Sequence, residues 1–485
     1  MLMYNQFFQV TDVIAIYPQL LLALFGLGVL IVDLFLDRAW KVLNAFTALL
    51  GIAYATYALI QIRKFNVSAY NGAIVNDSFA VYFQFVFLIT TALVIFISAR
   101  YLTIEGEHRG DYYALILFSL IGMNFMVMGM DIITLYIALE LMAVSEYILV
   151  GYLRTNRQSN EASLKFFLLG AFSSGILLYG ISLLYGISGS TDLRVIGQKL
   201  AERPANDPLT LIALVTLTAG LLFKVAGVPF HQWLPDAYEG APSPITAFIS
   251  VAPKAAAFAL TLRFLFIALK PLQVNWIPML SVICVLTMTV GNITAISQSN
   301  IKRLLAYSSI AHAGYLMLGI IAGNDYGITG IAIYFLVYMF MNIGAWTLVV
   351  AMRRKDLIGD QIQDMSGMFQ KNPAAAVLML IFMLSLAGIP PTAGFIGKYY
   401  LFASVIQTKH YALAIIAVLN AAVSLYYYFR VVVVMFMNDK VDEEKMVLSP
   451  GVLTTLAVTL AFTLIIGIYP DPFIRFAQNS LALFQ

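Results

Sequence analysis

The sequence predicts an all-α polytopic membrane protein of about fourteen transmembrane helices, two of them broken. Three observations carry this. Of 485 residues, 61% are hydrophobic and only 11% charged, with a mean hydropathy of +0.87; soluble domains carry about 25% charged residues. Apolar stretches of bilayer-spanning length, about twenty residues, follow one another with few pauses. Twice such a stretch is interrupted by Gly and Pro near a lysine, at 226–229 and at 387–391.

In chain order the spans are expected near 14–36, 42–62, 79–99, 111–129, 132–152, 163–185, 208–229, 245–269, 276–297, 303–321, 327–352, 373–407 (interrupted), 410–437 and 450–469. The first is read as a span and not a signal peptide, because no basic segment or small-residue cleavage site flanks it. The longest loops, 63–76, 186–207, 230–244 and 353–372, are too short to fold separately, so 1–485 reads as a single membrane domain. Loops after odd-numbered spans hold about fifteen Lys/Arg, among them Arg38, Lys41, Arg154, Lys302, Arg303, Arg353, Lys355, Lys440 and Lys445, and the others about eight. The positive-inside rule therefore places the first set in the cytoplasm and both termini on the outer side. A net charge of +3, thinly scattered, gives no nucleic-acid footprint. The single cysteine, Cys284, excludes disulfides within the chain and clusters ligated by its thiolates alone, and reads as packing.

Charges at bilayer depth carry the functional argument, since each costs about 2.5–3.5 kcal/mol on insertion scales and normally faces a bundle interior or a wet cavity. Lys224 lies deep in the seventh span, just before Gly227-Val228-Pro229. Proline removes a backbone donor and clashes with the preceding turn, so the helix breaks beside the charge. Ala226-Gly227-Val228-Pro229 recurs in the twelfth span as Ala387-Gly388-Ile389-Pro390, followed by Pro391, Gly394 and Lys398. Two broken spans five helices apart are the mark of inverted-repeat transporters, whose ion sites lie at the breaks. Spans 4–8 (111–269) and 9–13 (276–437) then form two five-helix repeats, preceded by a three-helix segment (1–110) and followed by a C-terminal span (438–485).

The remaining deep ionisable residues are Glu140, Glu146, Lys165, Lys254, Arg263 and His312. Glu146 lies six residues beyond Glu140, on a different helix face and nearer the cytoplasmic end. Lys165 is about one turn into its span, where a lysine can also snorkel to water. Lys254 follows Pro253 among small residues that permit close packing. His312 reads equally as a relay or as a hydrogen-bonded packing residue, and Arg263 as a structural anchor, since guanidinium keeps its proton. Amines and carboxylates together suit proton transfer: desolvation lowers a lysine's pKa and a nearby carboxylate raises it. A swing of two or three units is worth about 3–4 kcal/mol, against about 2.3 kcal/mol for moving one charge across 100 mV.

On these residues the chain resembles the antiporter-like membrane subunits of the proton-translocating NADH:quinone oxidoreductase (respiratory complex I), and most closely the N type. The likeness runs through Ala138-Leu139-Glu140-Leu141-Met142, Glu161 to Phe167, Phe223-Lys224-Val225, Val228 to Trp233 and Pro235 to Pro242. It continues in Asn300 to His312 and Gly388 to Lys398, so it covers essentially the whole chain. The resemblance implies that Glu140 and Lys224 form a switching pair, modulated by Lys165, and that Lys254 and His312 pass the proton on to Lys398. Lys398 favours the N type over the M type and the D-type antiporter subunit, which usually carry Glu there; the L type adds a lateral helix after the bundle, whereas this sequence ends at Gln485. Glu146 departs from the apolar residue usual at its position. His231, Trp233, Asp236 and Glu239 are expected to pin the break more than to do chemistry.

The resemblance further implies an inner (plasma) membrane location and partners among the other antiporter-like subunits and the small subunits leading to the quinone site. It implies no cofactor or metal in this chain; NADH, FMN, iron–sulfur clusters and quinone are expected elsewhere in the assembly. The sequence agrees in lacking a glycine-rich dinucleotide fingerprint after a strand. The alternatives are a self-sufficient cation/proton antiporter subunit, a haem-bearing electron carrier, which needs paired axial ligands where His108, His231 and His410 lie in or beside loops, and a scaffold that conducts nothing.

Overall fold

The structure, a computed structural model, describes residues 10–37, 40–63, 66–354, 359–439, 446 and 448–480. Arg38, Lys355, Lys440 and Lys445, used in the charge count, lie outside the described residues. Among the described residues thirteen helices are long and apolar enough to cross a membrane. The interrupted twelfth span supplies the fourteenth crossing as Pro373–Ala387 and Ala393–Gln407.

Helix boundaries follow the capping chemistry. Span three runs Ser78–Glu105 because Asp77 accepts the Ala80 amide at 2.7 Å. Span five, Ile132–Val150, is capped by Asp131, and span six, Arg157–Ser188, by Asn156. Asp207 starts span seven (Pro208–Val225) and Asn300 starts span ten (Ile301–Ala322). Spans three and six exceed the expected lengths because their polar ends still find caps. Several elements lie outside the sequence expectation, among them the helix Trp233–Gly240 in the expected loop 230–244. A short antiparallel hairpin, Val67–Ala69 with Ile74–Asn76, occupies the second loop. The helices Leu193–Ala201 and Asp471–Asn479 are two more; the first has apolar residues on one face, the usual way for a surface helix to bind its bundle.

Span eight (Ser243–Arg263), span ten and span eleven (Asp325–Met352) are buried along nearly their whole length and form the centre of the bundle. Arg263 is the anchor expected of it. Its guanidinium pairs with Asp77 at 2.7 Å, donates to the Val127 carbonyl at 2.6 Å and lies over the Phe79 ring. A fully buried guanidinium demands such a set of partners.

The two breaks share one backbone solution. Span seven ends at Val225, with Ala226 left-handed (φ 58°). The Ala226 amide donates to the Phe223 carbonyl at 3.0 Å and the Gly227 amide to the Leu222 carbonyl at 2.8 Å. Span twelve ends at Ala387, with Gly388 left-handed (φ 88°), and the Gly388 and Ile389 amides donate to the Ser385 and Leu384 carbonyls at 3.0 Å. Both are Schellman closures, which satisfy helix-end carbonyls without continuing the helix. Beyond the first break the chain resumes as the short helix Trp233–Gly240.

Candidate functional site

Lys224 occupies the last turn of the first limb of span seven, only 9% exposed. A cation there is favoured by the helix C-terminal dipole. Its one hydrogen bond among the described residues is a long one, 3.4 Å, to Ser174 Oγ of span six. Its ammonium also lies 5.9 Å from the Phe223 ring centre. Glu140 and Glu146 of span five both lie within electrostatic reach of it, yet neither closes an ion pair with it among the described residues. Glu140 keeps a buried Oε1 without a hydrogen-bond partner among the described residues; Glu146 is 3% exposed and accepts from Ser119 Oγ at 3.3 Å. The expected switching pair is thus brought together, joined by a second acid.

Trp233 and its neighbours explain how the break is held. Trp233 Nε1 donates to the Phe223 carbonyl at 3.0 Å, and its ring stacks on Phe166 and Phe223 at 4.4 and 5.4 Å. The Val228 amide donates to Thr287 Oγ1 of span nine at 3.0 Å. Asp236 joins Lys165 of span six (3.0 Å) to Arg303 of span ten (2.9 Å), and Glu239 also takes Arg303 at 2.8 Å. Burial alone would raise the pKa of Asp236; its hydrogen bonds to Lys165 and Arg303 more than offset that and hold it below the usual carboxylate range. His231, by contrast, leaves Nδ1 without a hydrogen-bond partner among the described residues.

Lys165 therefore stands apart from the switching pair. Its side chain is 47% exposed and paired with Glu161 (2.9 Å) and Asp236, on the rim of a polar cavity of about 260 Å³ that also includes Glu239 and Arg303. Lys302, counted as a loop charge from sequence, is instead turned inward. It is 3% exposed, donates to the Ala241 carbonyl at 2.8 Å and lies 3.8 Å from Asp360.

Beyond the first break the described residues form two hydrogen-bonded hydroxyl clusters, one at Lys254 and one at His312. Lys254 donates to Ser309 Oγ at 2.5 Å, and Tyr338 donates to the same oxygen at 3.0 Å. His312, one turn on, is hydrogen-bonded through Nδ1 to Tyr334 and through Nε2 to Tyr428 at 3.0 Å, and Tyr428 meets Ser308 at 2.5 Å. Which ring nitrogen carries the proton depends on the tautomer. Lys398 lies over the Tyr315 ring at 5.2 Å and donates to the Leu386 and Ala387 carbonyls at 3.0 and 2.7 Å. It thereby caps the broken helix it follows. Lys254, His312 and Lys398 are all buried, and both lysines lie within electrostatic reach of His312.

Sequence reasoning missed the tyrosines and serines that join these bases. One signal was present: Tyr334 and Tyr338 fall at i, i+4 in an otherwise apolar span, which puts two hydroxyls on one face. No group of three or more His, Cys, Asp or Glu that could hold a metal occurs among the described residues.

A family model described as NADH:quinone oxidoreductase/Mrp antiporter, TM, matches residues 129–424. NADH-quinone oxidoreductase subunit N 2 of Solibacter usitatus is 49% identical over 491 residues, covering 99% of this chain and 100% of that protein. A chain of respiratory complex I from Thermus thermophilus, solved with bound aureothin, superposes with a TM-score of 0.79 at 29% identity, over 95% of this chain and 99% of that one. A chain of the Mrp complex from Dietzia sp. DQ12-45-1b gives a TM-score of 0.85 at 18% identity, over 98% of this chain and 97% of that one, a likeness of fold alone.

Proposed function

The chain belongs to the subunit N family of NADH-quinone oxidoreductase, and from that premise we propose that its buried bases carry protons within that assembly. It is a multi-pass membrane subunit of a translocase. It couples electron transfer from NADH to quinone, in other subunits, to proton movement across the membrane. NADH, FMN, the iron–sulfur clusters and quinone belong to those other subunits. Its neighbours are the other antiporter-like subunits and the small subunits leading to the quinone site. The membrane is the cell inner membrane, with both termini on the outer side, and residues 111–269 and 276–437 act as inverted halves.

One observation carries the reading: Lys224 is buried at a helix break, poorly hydrogen-bonded, with two carboxylates in reach but not in contact. An ammonium in a low-dielectric site holds its proton when an acid approaches and loses it when the acid withdraws. Lys224 and Glu140 make that switch. Lys254 and His312 receive and pass the proton through Ser309, Tyr338 and Tyr428, and Lys398 is the last base of the row. Lys165 acts at one remove, by fixing the Trp233–Gly240 limb through Asp236.

The test is NADH-driven proton transport in vesicles bearing the assembly with Lys224→Ala, normalised to electrons transferred. Protons moved per electron should fall well below wild type. An unchanged ratio would favour a scaffold that conducts nothing, and sodium-dependent proton exchange by the isolated chain in liposomes would favour the antiporter reading.

A further inference from the structure

Between Lys224 and Lys254 no direct hydrogen bond exists among the described residues, so the two halves of the row need a connection. Two polar groups near them, Glu146 and Tyr238, have no step of their own in the relay above. Glu146 sits in span five, 3% exposed, with Ser119 as its one hydrogen-bond partner among the described residues and Lys224 within electrostatic reach. A lone carboxylate in such a place is costly unless it is paired or protonated. Tyr238 of the Trp233–Gly240 limb is fully buried, and its hydroxyl finds no hydrogen-bond partner among the described residues. An orphaned hydroxyl at that depth marks a place for a bridging water or a transient donor. Its ring lies 5.8 Å from the Lys254 ammonium, and Glu146 lies within electrostatic reach of its phenol.

We propose that Glu146 and Tyr238 are the proton bridge from Lys224 to Lys254, with Glu146 alternating with Glu140 as the acid that faces Lys224. This rests on the relay reading above. In the first step the Lys224 ammonium becomes a neutral amine and the Glu146 carboxylate becomes a carboxylic acid. In the second the acid gives its proton toward the Tyr238 hydroxyl, through a water where needed. The phenol passes on its own hydrogen as it takes up the new one, by way of Ser309, and neutral Lys254 becomes the ammonium. Charge and protons balance at each step. Glu140, whose oxygen is also orphaned but whose side chain is less deeply buried, remains the acid of the outer side of span five.

The experiment compares Lys224→Ala, Glu146→Gln, Glu146→Asp and Tyr238→Phe in vesicles of the whole assembly, reading protons per electron. NADH oxidation with a water-soluble acceptor reports how much assembly is present. Glu146→Gln and Tyr238→Phe, both nearly isosteric, should lower the ratio by roughly tenfold for the share this chain carries. Glu146→Asp should restore part of it, which a purely structural role would not require. Should Glu146→Gln fail to assemble, Tyr238→Phe and the infrared carbonyl band of a protonated carboxyl in Glu146→Asp decide. If Lys224→Ala stops transport while Glu146→Gln and Tyr238→Phe match wild type, the bridge is wrong and the relay stands. If Lys224→Ala has no effect, the relay reading itself falls.

Discussion

The two helix breaks solve the same backbone problem and treat their lysines oppositely. At the first, Lys224 precedes the break and Trp233 Nε1 joins the Ala226 amide as second donor to the Phe223 carbonyl, so the ammonium is left, among the described residues, with one 3.4 Å hydrogen bond. At the second, Lys398 follows the break and reaches back to two freed carbonyls at 3.0 and 2.7 Å. A base tied to fixed carbonyls is held in place, whereas one left under-bonded between two acids answers to their positions. The closure motif is thus neutral as to function. What matters is which group satisfies the carbonyls that the closure leaves free.

The sharpest way to break this comparison is to remove each lysine. Lys398→Met should destabilise the assembly by about 2–4 kcal/mol, because two buried carbonyls lose charge-assisted donors. Lys224→Met should stay within about 1 kcal/mol of wild type, since no carbonyl depends on it and a buried charge is removed. Thermal unfolding of the detergent-solubilised assembly reads both; equal losses would mean the two lysines are held alike.

Next in size is the residue at the turn itself. At Gly388 a Cβ would lie 2.7 Å from Lys398 Cδ, and φ is +88°, so Gly388→Ala should cost about 1–2 kcal/mol and displace the lysine. Ala226 already adopts the left-handed conformation at the first break, so Ala226→Gly should range from neutral to about 1 kcal/mol stabilising. Unfolding midpoints of the two variants, moving in opposite directions, would sharpen the contrast. Trp233→Phe keeps the stack on Phe166 but loses the hydrogen bond to the Phe223 carbonyl, at a cost of about 1 kcal/mol. If Lys224 then turns to that carbonyl, transport should slow more than stability falls.

The smallest effect is in pH. Asp236 has its pKa depressed by Lys165 and Arg303, so its contribution to the clamp is present above the ordinary aspartate pKa of about 3.9 and lost as pH falls through the lower folded value. Opening of 233–240, read as hydrogen exchange relative to the intrinsic rate at each pH, should therefore be flat from neutral pH to about pH 4 and rise only below it. A rise near neutrality would place another group in control.

Much of this was legible in the chain. Span positions followed from hydropathy, because a bilayer demands about twenty apolar residues at each crossing. Both breaks followed from Gly-x-Pro beside lysine, and Arg263 as an anchor followed from the chemistry of guanidinium. The ends of spans three and six were less legible: span three runs on to a left-handed Gly106 C-cap, and Asn156 starts span six earlier than hydropathy alone would. Lys302 looked like a loop charge because burial of a helix's first turn depends on what packs over it, here the chain at Ala241.

By itself the sequence determined where the membrane is crossed and where helices cannot continue, since those follow from the cost of charge and unpaired backbone in hydrocarbon, but it misplaced Lys302 and Lys165 in depth. Only the tertiary structure decided which partners those bases have. Hydroxyls of Tyr334, Tyr338 and Tyr428 converge on His312 and Ser309 from two spans far apart in sequence, and Glu146 comes into reach of Lys224 across a helix interface. Hydrogen bonds and Coulomb forces act over a few ångströms, and that proximity is set by packing between helices rather than by order along the chain.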